Sequence, residues 1–314
     1  MKSLNVEPSN TSVGILLSTY NGEKYLHQQL DSIFEQEGVS PLLLVRDDGS
    51  TDSTISILED YSLKYSDRMF ILKGKNIGWK QSFRQLASYA YHNLKEIDYF
   101  AFADQDDIWL PNKISQGVNS LKSYPDQPSL YFSNLFYYKD GENKGLIHKF
   151  TIQPNCKSAL ARNFATGCTV IFNRQLLKLF AKESPNINLP HDYWMYLLAT
   201  TCGNVIYDPN SYILYRQHDS NQIGSKHGLL DVWKARIKRF KDPAFNYVRE
   251  RTAKELLRIF SQDMLPSAKA AVEKLAYYKK TPVSRLKLFF DNGYTLNNFG
   301  NDFFFKLRII FGRL

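Results

Sequence analysis

The feature that most constrains this chain is a repeated junction, a short apolar run that stops abruptly at turn-forming or acidic residues. Val13 to Thr19 (VGILLST) runs into Tyr20-Asn21-Gly22, Leu42 to Arg46 (LLLVR) into Asp47-Asp48-Gly49-Ser50, and Tyr99 to Ala103 (YFAFA) into Asp104-Gln105-Asp106-Asp107. Apolar runs of about four to eight residues bounded by turn residues read as buried strands. Helical stripes separate them: Leu26, Leu30, Ile33 and Phe34, then Ile55, Leu58 and Tyr61 behind an Asp52 or Ser53 cap, then Gln81 to Leu94 after a third short strand at Met69 to Leu72. Strands alternating with helices imply right-handed crossovers and a mostly parallel, Rossmann-like sheet flanked by helices, so the fold class is α/β. Ligands of such sheets bind beyond the C-terminal ends of the strands. All three polar junctions fall on that rim.

Further along come an apolar stretch from Ser129 to Tyr138, a strand from Thr166 to Phe172, a helix around Tyr193 to Thr200 and strands near Val205 and Tyr212. Beyond Gly224 the pattern turns helical, basic and aromatic. Residues 231–314 hold 18 Lys and Arg against 8 Asp and Glu, a net +10 that leaves −1 for residues 1–230. The expected boundary follows that asymmetry, with a catalytic domain over 1–230 and a helical, basic and aromatic C-terminal region over 231–314. The length of 314 residues suits two units of about 100 to 200 residues each.

In the tail, Val232, Trp233, Ile237 and Phe240 stand beside Lys234, Arg236, Lys238 and Arg239, and an aromatic run extends from Phe303 to Phe311. Basic amphipathic helices with large aromatics lie in the lipid headgroup plane. An anionic membrane surface is therefore the expected partner, with packing on the catalytic domain or a homodimer contact as the alternative. No nucleic-acid module accompanies the basic charge, so no nucleic-acid partner is expected. No window approaches the ~18 uncharged apolar residues of a membrane span, and Met1 to Ser12 lacks an apolar signal core. The expected location is cytoplasmic, peripheral on the inner face of the plasma membrane. Cys156, Cys168 and Cys202 are few and widely spaced, which predicts reduced thiols without a disulfide framework or zinc site.

Three carboxylates on one tight turn, Asp104, Asp106 and Asp107, raise one another's pKa unless a cation neutralises them. Hard divalent ions take such oxygen ligands and share them with substrate phosphates. The plainer reading is a solvated acidic turn. Asp47-Asp48 is a weaker signal alone, since Asp, Gly and Ser all favour turns, but on the same rim its carboxylates would accept hydrogen bonds from a base or a ribose hydroxyl.

Taken in order, Ser18-Thr19-Tyr20-Asn21, the stretch from Asp47 to Thr54, Asn76-Ile77-Gly78 and the turn from Asp104 to Trp109 resemble the signature of family 2 glycosyltransferases with a GT-A fold, over roughly Val13 to Ile223. Phe102 to Trp109, Pro190-His191-Asp192-Tyr193-Trp194 and Tyr215-Arg216-Gln217-His218 are most similar to the bacterial rhamnosyltransferases that build cell-wall polysaccharides. The resemblance implies a nucleotide-sugar donor whose nucleoside is held by Thr19, Tyr20 and Asp48, with Asp47 nearby. It implies that Asp104, Asp106 and His218 hold Mg2+ or Mn2+, and that Asp104 and Arg216 meet the diphosphate. Asp192 matches the base position, where His191 replaces the usual preceding Glu, and a single displacement would invert the anomeric centre.

The favoured donor is dTDP-β-L-rhamnose, giving an α-linkage on a lipid-linked or growing saccharide. A UDP-hexose donor, or an inactive scaffold that binds sugar nucleotides, is the alternative. Asp107, Trp109, His191 and Trp194 are the candidates for the acceptor or sugar face, although the two tryptophans equally suit core packing. Gly167 serves either a close backbone approach to the acceptor or a packed turn. The Gln-x-x-Arg-Trp motif of processive members is absent, which points to addition of one or a few sugars.

Overall fold

Thr11–Thr19 (β1), Val39–Asp47 (β2), Met69–Lys73 (β3) and Tyr99–Ala103 (β4) make the parallel half of a nine-stranded sheet, in a computed structural model that describes residues 11–217, 229–242 and 248–314. The crossovers are Leu26–Phe34 (α1), Thr54–Lys64 (α2) and Trp79–Asn93 (α3). The strands read as continuous apolar runs because both faces are covered. Val13, Ile15 and Leu17 pack with Leu26, Leu30 and Ile33 of α1, while Leu16 points the other way, into a cluster with Phe83 and Leu86 of α3.

The second half adds Ile108–Trp109 (β5), Lys113–Leu121 (α4), Ser129–Lys139 (β6), Glu142–Leu146 (β7), Cys156–Ala161 (α5), Val170–Asn173 (β8), Arg174–Lys182 (α6), His191–Cys202 (α7) and Asn204–Arg216 (β9). The order across the sheet is β3-β2-β1-β4-β8-β6-β9-β5, with β7 on β6. Parallel ladders such as β1·β2 and β6·β9 are the long ones, and the antiparallel joints β4·β8, β6·β8, β6·β7 and β5·β9 are short.

Two expected strands differ in detail. The Thr166 to Phe172 stretch opens with a 3-10 turn at Gly167–Thr169, because the N–H and Oγ1 of Thr169 both donate to the Thr166 carbonyl, at 2.9 and 2.7 Å. The strand therefore begins at Val170. Val205 and Tyr212 lie on one strand, β9, whose register slips where Asp208 and Ser211 face the adjacent residues Ser133 and Asn134. Pro209 sits in the slip and has no N–H to offer a ladder.

The remaining helices are Leu229–Lys241 (α8), Val248–Phe260 (α9), Pro266–Ala276 (α10), Pro282–Phe289 (α11) and Phe299–Ile310 (α12). Leu256, Phe260, Val272, Leu275, Phe305 and Ile309 belong to the same buried cluster as Phe100 and Trp194, so the core runs across the 230/231 boundary that composition marks. Their outer side is different. Val283, Leu286 and Phe290 around α11 and Phe299, Phe303, Ile310 and Phe311 around α12 are exposed, Phe299 to 85%. The three cysteines are free thiols, two of them buried. Among the described residues no helix is long and apolar enough to cross a membrane.

Candidate active site

The polar junctions meet as expected, but adjacent carboxylates on each take different jobs. Asp47 turns inward at the end of β2. Its Oδ2 accepts from the N–H groups of Gly49 (3.0 Å) and Ser50 (2.9 Å), and its Oδ1 from the hydroxyls of Thr19 (3.0 Å) and Ser50 (2.5 Å). Gly49 takes φ +83° with Asn76 close behind it, which keeps a side chain out of this turn. Asp47 thus organises the turn through these hydrogen bonds. Asp48 instead faces a cavity of about 630 Å³. It pairs with Arg46 and accepts from the N–H groups of Ile77 (2.9 Å) and Gly78 (2.8 Å), tying the loop before α3 to the strand end.

At the end of β4, Asp104, Gln105 and Asp106 line the same cavity. The Gln105 amide clamps the Tyr20 backbone, accepting from its N–H at 2.8 Å and donating to its carbonyl at 3.1 Å. The sequence reading missed this clamp, whose one signal is Gly22: a Cβ there would lie 2.5 Å from Gln105 Oε1. Asp107 is buried beneath the turn, where its Oδ1 accepts from the Arg216 N–H at 3.1 Å. The Arg216 side chain donates to the Asp106 carbonyl (2.9 Å) and to Gln28 (2.6 Å), with its guanidinium 4.4 Å from the Tyr25 ring centre. Arg216 thereby braces the acidic turn from the end of β9.

Two aromatic expectations are corrected. Trp109, 3% exposed, points inward from β5 with Lys113 Nζ 3.7 Å from its ring centre, and Trp194 is fully buried against Phe260 at 6.1 Å between centroids. Neither is among the residues that line the cavity; nor is Asp107, whose carboxylate is buried against the Arg216 N–H. The exposed aromatics at the cavity are Tyr20 and Trp79, the latter unremarked in the sequence although it opens α3 directly after Gly78.

Asp192 lines the same cavity from the first turn of α7. Its Oδ1 accepts from the Tyr193 N–H (2.7 Å) and its Oδ2 from Asn163 Nδ2 (3.1 Å). Burial pushes its pKa up to about 6 against these hydrogen bonds and one from the Gly167 N–H. Gly167 allows a close packed turn, since an added Cβ would sit 3.2 Å from His191 Nε2. His191 stacks on Phe83 at 3.9 Å and meets Phe102 edge-on at 4.6 Å. Burial, with Arg84 nearby, pulls its pKa down to about 3, so it is neutral and forms part of the cavity wall.

Burial, then the charges of Asp106 and Asp192, push Asp104 up to about 7. Burial with the same crowding also raises Asp107, and burial alone carries the Lys113 ammonium down to about 7. Candidate donor atoms of Asp104, Asp107 and Cys168 lie within 4.8 Å of one another. Burial pushes the Cys168 thiol well up, which keeps it a protonated, poor ligand, whereas the crowded carboxylates are hard donors that resist ionising until a cation relieves them. Of these three only Asp104 lines the cavity, where Asp106 stands beside it, and this pair of carboxylates offers the hard oxygen donors that suit a divalent cation. His218, the remaining expected ligand, lies outside the described residues.

Residues 14–180 match the family described as Glycosyl transferase family 2. The chain belongs to that family. This glycosyltransferase is 33% identical over 219 residues to dTDP-rhamnosyl transferase RfbG of Shigella flexneri, covering 67% of this chain and 74% of RfbG. Its fold is similar to that of S. aureus TarS 1–349 in complex with UDP-GlcNAc, with TM-score 0.55 and 15% identity over 90% of this chain and 78% of that one. It is also similar to GalNAc-T7 with UDP, GalNAc and Mn2+, with TM-score 0.56 and 14% identity over 87% and 58%. The family 2 glycosyltransferase therefore has a GT-A fold, and Thr19, Tyr20, Asp48, Asp104, Asp106, His191 and Asp192 line the same cavity at the strand ends.

Proposed function

We propose that this glycosyltransferase is a metal-dependent inverting rhamnosyltransferase, moving L-rhamnose from dTDP-β-L-rhamnose in α-linkage to a lipid-linked or growing saccharide. The observation that carries the mechanism is that Asp104 and Asp106 line one cavity together with Asp192. Similarity to RfbG supports the sugar and its nucleotide. Tyr20 and Trp79 offer exposed rings to a base or sugar, and Asp48, which lines the same cavity, would meet the nucleoside.

Asp104 and Asp106 would hold Mg2+ or Mn2+, which supplies charge neutralisation of the departing diphosphate. Asp192 takes the proton from the acceptor hydroxyl. The acceptor oxygen then bonds to the anomeric carbon as the bond to diphosphate breaks on the opposite face, so the configuration inverts. A pKa near 6 suits this base, which is ionised at neutral pH yet still basic.

The exposed apolar residues of α11 and α12 stand among Lys279, Lys280, Arg285, Lys287 and Lys306, and this combination matches an anionic bilayer at the cytoplasmic face of the plasma membrane. The deciding experiment is donor hydrolysis and transfer across dTDP-, UDP- and GDP-sugars, with Mn2+ and with EDTA. Turnover of dTDP-L-rhamnose that EDTA abolishes is expected. Preference for a UDP-hexose would replace the donor, and binding without turnover of any sugar nucleotide would leave a scaffold.

A further inference from the structure

Arg46 is a charge where the strand pattern calls for an apolar side chain. Alternation along β2 puts Leu43 and Val45 on the α1 side of the sheet and Leu44 and Arg46 on the α3 side. Arg46 is 5% exposed there, and Asp48, just past the strand, 2%. A buried guanidinium is costly unless its N–H groups are met. Here Nε donates to Gln85 (2.8 Å) and Nη1 to Ser82 (3.3 Å), both on α3, while Nη2 donates to the Lys75 carbonyl (3.1 Å) and Nη1 also pairs with Asp48. Gly74 leaves room for the fork, because a Cβ there would fall 2.5 Å from Nη2.

What these contacts fix is a carboxylate. Asp48 Oδ1 takes the Arg46 guanidinium and the Ile77 N–H (2.9 Å), whereas Oδ2 takes the Gly78 N–H alone, at 2.8 Å. Each carboxylate oxygen has room for about two donors. One acceptor direction on Oδ2 is therefore unfilled, in a residue that lines the active-site cavity. On the other side of the guanidinium, Ser82 accepts from Ser18 at 2.6 Å, and Ser18 lines the cavity too.

We propose that Arg46 is a positioning residue that sets the choice of base, holding the Asp48 carboxylate in one orientation with Oδ2 open to a ring N–H. Thymine and uracil carry such an N–H between two carbonyls, whereas cytosine has an accepting nitrogen in that place. Removal of the guanidinium leaves a buried carboxyl free to turn or to take up a proton, and a protonated carboxyl donates as well as accepts. The distinction between the bases then fades. The proposal rests on the reading of Asp48 as the nucleoside contact, while the transferred sugar and Asp192 do not enter it.

The test is calorimetry of dUDP and dCDP on the full chain with Mn2+ present. The two ligands carry the same diphosphate and differ only along one edge of the base, so their affinity ratio isolates that edge. Wild type should favour dUDP by about tenfold or more, since a hydrogen bond to a charged group contributes about that much. Arg46→Gln should weaken dUDP by about tenfold and bring the ratio within about threefold. Arg46→Lys, which keeps a cation beside Asp48 and loses the fork that reaches Gln85 and Lys75, should retain most of the ratio. Gly74→Ala leaves Arg46 in place but crowds its Nη2, and should narrow the ratio as Arg46→Gln does. In an Asp48→Asn background, Arg46→Gln should move the ratio by less than about twofold, because the arginine acts through that carboxylate. Melting temperatures identify any variant that misfolds, and Gly74→Ala then stands in for Arg46→Gln.

A ratio that survives Arg46→Gln while both affinities fall would make Arg46 a support of the loop and overturn the proposal. Equal affinity of the wild type for dUDP and dCDP would overturn it as well and leave the nucleotide reading standing, whereas binding of neither would overturn both. Because the ligands carry no sugar, failure of rhamnose as the transferred group, or of Asp192 as the base, would appear in transfer assays and leave these ratios unmoved.

Discussion

The acidic rim and the basic helices handle charge in opposite ways. At the rim, carboxylates are fixed by short hydrogen bonds, Asp47 by four and Asp48 by an arginine and two backbone N–H groups. In the C-terminal helices, lysines and phenylalanines turn outward, and the arginines that turn inward gather in a cavity. Chemistry at one atom needs the first arrangement, because small displacements of a reacting group are costly in rate. Contact with an extended surface needs area and charge and tolerates imprecision. The two regions nevertheless share one core, through Trp194 and Phe260.

The sharpest break between them is catalytic. Asp192→Asn should lower the transfer rate by about 10² to 10⁴-fold, the range for a lost general base, and leave donor affinity unchanged in equilibrium titration. Equal losses in donor affinity and rate would put Asp192 on the donor. Wild-type rate should fall as pH drops through about 6, since protonated Asp192 accepts no proton.

A smaller effect concerns stability at the rim. Asp104 has a folded pKa near 7, above its unfolded value of 3.8, so its contribution to stability is present below the unfolded value and is lost as pH rises through 7. A cation that binds only the folded state offsets that loss. Mn2+ should therefore raise the melting temperature more at pH 8 than at pH 5, in differential scanning fluorimetry, and Asp104→Asn should shrink the difference. An equal rise at both values would remove Asp104 from the cation site.

The smallest effects belong to the outer helices. Phe303→Ala with Phe311→Ala should weaken co-sedimentation with anionic liposomes and increase its sensitivity to salt. Exposed substitutions of this kind change stability by about 0.5 kcal/mol or less, and a small soluble acceptor should still be glycosylated. Liposome binding indifferent to these changes, or a variant dimer that dissociates, would make the face a protein contact.

What could be read from residue order alone was whatever is local. Unbroken apolar runs stopping at Asp, Asn and Gly determine strands and strand ends, because both faces of a parallel sheet are covered and the turn residues terminate it. The ordered motifs at Thr19, Asp48, Asp104 and Asp192 carried the family for the same reason. Tertiary structure decided which neighbour faces the ligand. Asp47 and Asp48 are indistinguishable in composition, as are Asp106 and Asp107, and only backbone direction at the strand end separates the inward carboxylate from the one at the cavity. Trp109 and Trp194 promised sugar stacking, yet burial sums contacts from distant segments, and β9, α9 and Lys113 close over them while Tyr20 and Trp79 stay open. The arginine cavity is the extreme case, since residues 162, 236, 249 and 308 become neighbours only when α8, α9 and α12 pack beside α5.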